Sequence, residues 1–280
     1  MNRYIFMRFP GGKPKAFTLS YDDGVEQDVK FIEICDKYGL KATFNLNSGV
    51  YTPEGTVFPK GRIHRRLTKA AASEVYSKNG HEVATHSYTH PWLEKLSTAN
   101  VAYEIIKDRE DLEKQFGCIV KGHAYPYGTY SDTVVECLKN CGIVYARTTK
   151  ATHSFEIPTD WLRLHPTCHH DDGKAIELTK RFVELKNEAP LLFYMWGHTY
   201  EFEDKNNWEH FEEIAELISG KDDIWYANNI DVYNYVEAYR SLVFSADMRY
   251  VNNPSSLDIY FVCNGTNYVV KSGETISITC

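Results

Sequence analysis

Runs of apolar residues alternate along this chain with segments whose apolar residues recur at helical spacing. Residues 16–21 form an apolar run typical of a buried strand, and Gly24 turns the chain after it. Residues 25–38 then repeat apolar side chains every three or four positions, and Gly39 follows as a helix stop. This unit predicts a strand, a turn and an amphipathic helix.

The same alternation continues to about residue 242 and gives about eight strand candidates. We predict an α/β fold with a (β/α) barrel, because so many strands fit a barrel better than a four- or five-stranded open sheet. The other predicted strands are 42–46, 82–85, 119–120, 143–146, 162–167, 191–196 and 224–227, and the other predicted helices are 68–79, 98–116, 132–140, 174–186, 208–218 and 230–242.

The last forty residues have a different pattern. Residues 257–262 and 268–270 are strand-like around Asn264-Gly265, which predicts a hairpin, and residues 275–279 predict one more strand. We therefore divide the chain into a barrel, residues 1–243, and a short C-terminal β appendage, residues 244–280. The appendage is predicted to cover a barrel face or an oligomer contact in preference to binding sugar.

Composition narrows the classes of partner. The net charge of −7 argues against nucleic acid, and no segment has the length and apolarity of a membrane span. Residues 60–69 are locally basic, which we interpret as a solvated face. Aromatic residues make up 14% of the chain and include 20 tyrosines, which mildly favours a carbohydrate substrate because sugar rings bind against aromatic faces.

Cysteine usage and the N-terminus predict a cellular compartment. The seven cysteines form no C-x-x-C pair, and Cys137 and Cys141 lie one helical turn apart, which suits a buried face better than a disulfide. We expect reduced thiols and, because residues 1–10 lack an apolar signal core, a cytoplasmic protein. An exported precursor whose leader had been removed would instead place the protein outside the cell.

Candidate chemistry follows the predicted strands. Asp22-Asp23-Gly24 ends the first strand, and His86 and His90 stand four positions apart after another. Either motif alone is more often structural, but two imidazoles and a carboxylate together suit a catalytic zinc-type site with a position left for water. The neighbouring carboxylate is then available as a general base.

Four segments in this order resemble the NodB-type polysaccharide deacetylases, carbohydrate esterase family four. They read Ser20-Tyr21-Asp22-Asp23-Gly24, His86-Ser87-Tyr88-Thr89-His90, Ala124-Tyr125-Pro126-Tyr127-Gly128 and Met195-Trp196-Gly197-His198, with a weaker Asp160-Trp161 segment between the last two. The resemblance covers roughly residues 15–239. It implies a distorted (β/α) barrel of seven or eight strands and metal-dependent N- or O-deacetylation.

The resemblance also implies roles for individual residues. Asp23, His86 and His90 would hold the metal, Asp22 would be the base and His198 the acid. The backbone N–H of Tyr127 would help to hold the oxyanion. The remaining expected substrate-binding or orienting residues are Trp161 at the acyl pocket, Asp160 beside His198, and Tyr125, Pro126 and Trp196.

One position departs from the family pattern. The third motif of the family usually begins with an arginine that orients the base, and here that position is Ala124. In the predicted strand 162–167, Arg163 has the parity to point inward, so we expect it to contact Asp22 or the substrate. Arg147 is the other candidate. Residues 169–172 are either a second metal cluster or, as we prefer, a solvated loop.

The sequence thus predicts a hydrolase that removes the acetyl group from an N-acetylated sugar. The expected cofactor is one divalent ion, Zn²⁺ by preference, with Co²⁺, Ni²⁺ and Fe²⁺ as alternatives. The expected partner is a carbohydrate, and a homo-oligomer is possible. An amidohydrolase acting on a small amide or ureide and a sugar-binding protein without turnover are the competing interpretations.

Overall fold

A computed structural model describes residues 4–78 and 80–279 of the chain. The helices are α1 (Asp28–Lys37), α2 (Lys69–Tyr76), α3 (Thr98–Phe116), α4 (Asp132–Asn140), α5 (Ala175–Glu184), α6 (Tyr200–Asp204), α7 (Trp208–Ile218) and α8 (Asn229–Arg240). The strands are β1 (Ile5–Arg8), β2 (Lys15–Asp22), β3 (Ala42–Leu46), β4 (Glu82–Thr85), β5 (Gly122–Ala124), β6 (Tyr145–Arg147), β7 (Cys168–His169), β8 (Leu191–Gly197), β9 (Ile224–Tyr226), β10 (Val243–Phe244), β11 (Tyr250–Asn252), β12 (Ile259–Cys263), β13 (Thr266–Val270) and β14 (Thr275–Ser277).

The central element is a curled parallel sheet with strand order β6-β5-β4-β3-β2-β8-β7. The eighth strand, β9, pairs with the first three residues of β2, whereas β3 pairs with the last four, so both lie along the same edge of β2. At the ends of the sheet, Arg147 and Leu164 form one isolated parallel bridge. The predicted α/β fold, a distorted barrel of seven or eight strands, is confirmed.

Strand β2 is buried along its whole length, and its two faces differ in chemistry. Phe17, Leu19 and Tyr21 face outward into a core that the surrounding helices complete. The alternate residues point into the barrel, where Thr18 donates a hydrogen bond to Asn229 and Ser20 accepts one from Asn45. The barrel interior is therefore polar near the carboxyl ends of the strands, where a site needs polar groups.

Helix ends follow the sequence signals. The side chains of Thr68, Ser97 and Ser131 cap the starts of α2, α3 and α4. Helix α3 ends at Gly117 in the left-handed conformation, with a φ of 65°. The predicted helix end at residue 79 lies outside the described residues.

Two predicted strands are wrong. Residues 119–120 are not in a strand, because β5 begins only at Gly122. Residues 162–167 do not form a strand, because Trp161–Arg163 is a 3-10 turn and β7 begins only at Cys168. Asp160 accepts hydrogen bonds from the backbone N–H groups of Leu162 and Arg163, which caps the turn and prevents an extended backbone there. The alternation of a strand therefore does not apply to this segment and does not predict the direction of the Arg163 side chain.

The strands of the appendage lie in two small antiparallel sheets, β1-β12-β13 and β10-β11-β14. The predicted hairpin is present, with Asn264 and Gly265 both at positive φ between β12 and β13. The N-terminal strand β1 pairs with β12, and β10 begins at Val243, so these sheets include residues on both sides of the predicted boundary. The division of the chain at residue 243 stays a prediction.

The cysteines differ from expectation at one position. Cys263 in β12 is disulfide-bonded, so the expectation of reduced thiols is wrong there. Cys137 and Cys141 are free thiols, as predicted. Among the described residues, no helix combines the length and apolarity needed to cross a bilayer.

Candidate active site

The two sequence motifs that suggested a metal site meet beyond the carboxyl ends of β2 and β4. Asp23, His86 and His90 present ligand atoms that all lie within 4.8 Å of one another. His90 Nε2 lies 3.8 Å from Asp23 Oδ1. Although Asp23 and His86 are 63 positions apart in the chain, the parallel sheet brings their strand ends to the same edge.

The backbone at this edge adopts conformations that L-residues rarely adopt. Asp23, Ser87, His90 and Tyr127 have φ values of 83°, 67°, 59° and 59°. Left-handed conformations of non-glycine residues cost on the order of 1–3 kcal/mol each and concentrate at functional sites. The surrounding contacts must therefore hold these four residues in place.

A hydrogen bond from Nδ1, the ring nitrogen on the side away from the site, orients His86. Its Nδ1 donates to the backbone oxygen of Ala124 at 2.7 Å, which leaves Nε2 without a proton and directed toward the site. Burial lowers the pKa of His86 to about 4, so the ring is neutral near pH 7. A neutral imidazole with a free Nε2 lone pair is the form that binds a divalent metal.

Asp22 is buried beside Asp23 and pairs with Arg147. The Arg147 guanidinium donates to Asp22 Oδ2 and lies 4.3 Å from the centre of the Trp196 ring, while Asn45 donates to Asp22 Oδ1 at 2.8 Å. Burial alone would raise the pKa of Asp22, but the positive charge of Arg147 holds it below the usual value. Asp22 is therefore a carboxylate near neutral pH.

The expectation that Arg163 contacts Asp22 is wrong. Arg163 is directed to the surface, where it pairs with Asp132 at 2.6 Å and with Asp160 at 2.8 Å. The reason is the 3-10 turn at this position, which removes the inward parity of a strand. Arg147, at the end of β6, supplies the positive charge that the family usually places at the position of Ala124.

Asp23 is paired with a second arginine, Arg66. Arg66 donates to Asp23 Oδ1 and to the Asp23 backbone oxygen, both at 2.7 Å, and His64 Nε2 lies 3.1 Å from Asp23 Oδ2. Burial would raise the pKa of Asp23, whereas His64 and Arg66 hold it well below the usual range. Two adjacent buried carboxylates are thus ionised because each has a separate cation.

The interpretation of the basic segment 60–69 as a solvated face holds for the exposed Lys60, Arg62 and Lys69 and is wrong for the half-buried Arg65 and Arg66. Arg65 pairs with Glu203 at 2.9 Å and with Glu26 at 2.6 Å, and a backbone bridge joins Val25 to Arg66. These contacts fasten the segment across the turn that follows β2. Sequence reasoning missed this role because positive charge alone does not distinguish solvent from a buried carboxylate.

His198 stands between two carboxylates. Its Nε2 lies 3.8 Å from Asp22 Oδ2, and its Nδ1 lies 3.4 Å from Glu201 Oε1. Burial would lower the pKa of His198, but the neighbouring carboxylates of Glu201 and Asp22 raise it. Glu201 therefore occupies the place that the sequence analysis gave to Asp160, which instead caps its own turn and pairs with Arg163.

Two further imidazoles contact Glu201. His169 Nε2 and His170 Nε2 lie 3.1 Å and 3.2 Å from Glu201 Oε2. His169, His198 and Glu201 present atoms close enough for a metal, but His169 Nδ1 accepts a hydrogen bond from the Asp171 N–H, so its proton is on Nε2 and faces Glu201. We interpret this group as a cluster of imidazoles around one carboxylate.

The third motif forms one wall of the site. Pro126 and Tyr125 are buried, and the Tyr125 hydroxyl donates to the Leu162 backbone oxygen. The Tyr127 ring stacks on Trp92 with 3.9 Å between ring centres and lies 4.6 Å from the His90 ring. The left-handed turn at Tyr127 is thus packed directly against a metal-ligand candidate.

Trp161 and Trp196 have different surroundings. Trp196 lies beside Arg147 and has its ring centre 5.6 Å from that of His198, inside the site. Trp161 packs against Tyr233 of α8, and its indole N–H donates to Glu237. These contacts tie Trp161 to α8, and an acyl-pocket role for it stays a prediction.

Residues 10–146 match the model of the family described as polysaccharide deacetylase. A protein of Bacillus subtilis strain 168 named uncharacterized protein YlxY is 32% identical over 198 residues, which cover 70% of this chain and 53% of that protein. The peptidoglycan-N-acetylglucosamine deacetylase PgdA of Listeria monocytogenes is 29% identical over 126 residues, which cover 44% of this chain and 23% of that protein. The chain therefore spans about half of the first relative and about a quarter of the second.

A solved structure supports the fold. A family 4 acetyl xylan esterase from Clostridium thermocellum, determined in complex with a cobalt ion, superposes with a TM-score of 0.53 at 15% identity. The match covers 78% of this chain and 90% of that one. At this identity the similarity establishes the barrel architecture and nothing further.

Proposed function

Because the chain belongs to the polysaccharide deacetylase family, we propose that it is a hydrolase that removes the acetyl group from an N-acetylated sugar. The observation that carries the proposal is the meeting of two groups at one strand edge. One group is the ligand set Asp23, His86 and His90, and the other is the base and acid pair Asp22 and His198. Peptidoglycan fragments and oligosaccharides of N-acetylglucosamine are the substrate class we propose.

The ligand set suits a divalent ion of borderline softness. Two imidazoles and one carboxylate favour Zn²⁺, with Co²⁺, Ni²⁺ or Fe²⁺ as alternatives, over Mg²⁺. The hydrogen bond from His86 Nδ1 to Ala124 already selects the tautomer that an ion needs. When bound, such an ion polarises the acetyl carbonyl and lowers the pKa of water.

The protein's own residues would move the protons. Asp22, kept ionised by Arg147, accepts the proton of the attacking water. His198, with Glu201 behind its Nδ1, carries a proton on Nε2 and donates it to the departing amine. The backbone N–H of Tyr127 would donate to the oxyanion that forms at the acetyl carbon.

Acetate release from N-acetylglucosamine oligomers tests the proposal. We expect turnover by the metal-loaded wild type, loss of turnover after chelator dialysis, and recovery on adding Zn²⁺ or Co²⁺. Asp22→Asn should reduce the rate by about two to four decades, the scale of general-base loss, while Asp23 and the ligand set stay intact. Asp132→Asn, at an exposed carboxylate paired with Arg163, is the matched control and should retain the rate.

Two outcomes would overturn this function. One is a wild-type protein that releases no acetate from these oligomers when it is loaded with any of the four metals. The other is an Asp22→Asn protein that matches the wild-type rate, which would assign the proton transfer to another group.

A further inference from the structure

Two asparagines lie two positions apart at the end of β3, and each contacts a different part of the site. Asn45 donates to the carboxylate of Asp22. Asn47 donates to the backbone oxygens of His86 and Ser87 and accepts a hydrogen bond from Arg66. Both are almost fully buried, so neither interaction competes with bulk water.

Arg66 extends this second set of contacts to the other metal-ligand segment. Its Nη1 donates to the Asp23 backbone oxygen and to Asn47 Oδ1, and its Nη2 donates to Asp23 Oδ1, all at 2.7 Å. One guanidinium therefore contacts the turn after β2 directly and the turn after β4 through a single asparagine. We call Arg66 and Asn47 together the ligand brace.

The ligand brace binds the backbone where it is strained. Asp23 and Ser87 both have positive φ, and the brace contacts the carbonyl of Asp23 and the carbonyls of His86 and Ser87. Without those bonds, fewer contacts would hold the peptide groups in these costly conformations. A change in these backbone angles would alter the relative placement of the Asp23 and His86 side chains.

Electrostatics alone does not explain the position of Arg66. A cation bonded to Asp23 Oδ1 opposes the approach of a divalent ion to the same carboxylate. Its contact with a backbone oxygen and an uncharged asparagine is consistent with positioning. A guanidinium suits this task because its planar fork reaches several acceptors in fixed directions.

We propose that Arg66 and Asn47 are positioning residues that preorganise Asp23 and His86 for metal binding, whereas the Asn45 side chain donates only to Asp22 and its neighbours in β2. This inference rests on the proposed metal site. Outer-shell partners of metal ligands typically contribute 10- to 100-fold to metal affinity. The simpler alternative is that Asn47 only satisfies buried carbonyls, in which case its loss lowers stability and leaves metal affinity unchanged.

The experiment measures metal binding directly. Wild type, Asn47→Ala, Arg66→Lys and Asn45→Ala are stripped with a chelator, checked for folding by circular dichroism, and titrated with Zn²⁺ against a chromophoric competitor. We expect the Kd to rise about 10- to 100-fold in Asn47→Ala and by up to about 10-fold in Arg66→Lys. Asn45→Ala should stay within about threefold of the wild type, because its contacts are with Asp22 and β2.

Arg66→Lys keeps the positive charge but cannot donate to the same three acceptors in fixed directions. Its effect on metal affinity therefore reports positioning and not charge. It also carries the test if Asn47→Ala does not fold without metal, since Arg66 is only partly buried. The visible spectrum of the Co²⁺ form is a second readout, and we expect it to change in Asn47→Ala and not in Asn45→Ala.

Folded Asn47→Ala and Arg66→Lys proteins with wild-type affinity would overturn the ligand brace. The proposal would also be overturned if Asn45→Ala weakened Zn²⁺ binding as much as Asn47→Ala does, because the effect would then not be specific to the ligand brace. A wild type that binds no ion would instead overturn the proposed function, so the two failures are distinguishable.

Discussion

The ion pair between Asp22 and Arg147 gives the sharpest quantitative prediction. Arg147 is fully buried, and Asp22 is 3% exposed at its side chain. Arg147→Met keeps an unbranched apolar side chain against Trp196 and leaves the Asp22 charge buried without its partner. Breaking a buried pair from one side costs about 3–5 kcal/mol, a large share of the roughly 5–15 kcal/mol that stabilises a domain.

A double-mutant cycle tests whether that cost belongs to the pair. Asp22→Asn in the Arg147→Met background removes the unpaired charge, so we expect the double variant to be more stable than Arg147→Met alone. The coupling free energy should be about 2–3 kcal/mol. Urea unfolding followed by circular dichroism, with EDTA present so that no metal contributes, measures all four proteins.

Arg163→Met is the control for a surface pair. Arg163 is 32% exposed and its partner Asp132 is 95% exposed, so loss of this contact should cost at most about 1 kcal/mol. The reasoning is refuted if Arg163→Met destabilises as much as Arg147→Met. Additive effects of Asp22→Asn and Arg147→Met would refute it as well.

Three further predictions concern the metal, the core and the pH dependence of stability. His86→Ala and His90→Ala should each retain much less than one equivalent of Zn²⁺ by atomic emission, and full retention in both would contradict the ligand set. Phe31→Ala should lower the free energy of unfolding by about 3–5 kcal/mol in urea titrations, since its buried ring packs against four aromatic rings; a cost below about 1 kcal/mol would be inconsistent with that packing. Burial raises the pKa of Asp28 to about 7 in the folded protein. Between about pH 4 and 7 unfolding therefore releases the Asp28 proton, so the free energy of unfolding falls as the pH rises. The total decrease should be about 4 kcal/mol, since each pKa unit corresponds to about 1.36 kcal/mol. Asp28→Asn should remove that decline, and an unchanged pH dependence of unfolding would show that Asp28 does not titrate in this way.

The roles of the two arginines show why the sequence analysis chose the wrong one. Arg163 had the right parity in a predicted strand, but a single aspartate cap at Asp160 converts that segment into a 3-10 turn. Arg147 is on a strand of only three residues, which leaves almost no periodic signal to read. Local hydrogen bonding, which hydrophobic spacing does not reveal, therefore determines which of the two arginines reaches Asp22.

Glu201 was missed for a related reason. It lies three positions after His198, at the start of the short helix α6, where a glutamate is ordinary. Its importance comes from His169 and His170, which reach the same carboxylate from the end of β7 and the position after it. The absence of a Cβ at Gly197 makes room for the His170 ring, whose Nδ1 would lie 1.9 Å from such an atom.

The sequence by itself determined most of the strand and helix order, the barrel class and the candidate ligands Asp23, His86 and His90, because hydrophobic periodicity and short motifs are local properties. It also located Asp22 and His198 at strand ends, where parallel sheets place their sites. Only the tertiary structure decided which cations compensate the two carboxylates, which carboxylate faces His198 and what contacts the strained turns. The two cations come from segments 43 and 125 residues away from Asp23 and Asp22. A buried charge is stabilised by whichever side chain reaches it in three dimensions, which no local pattern records.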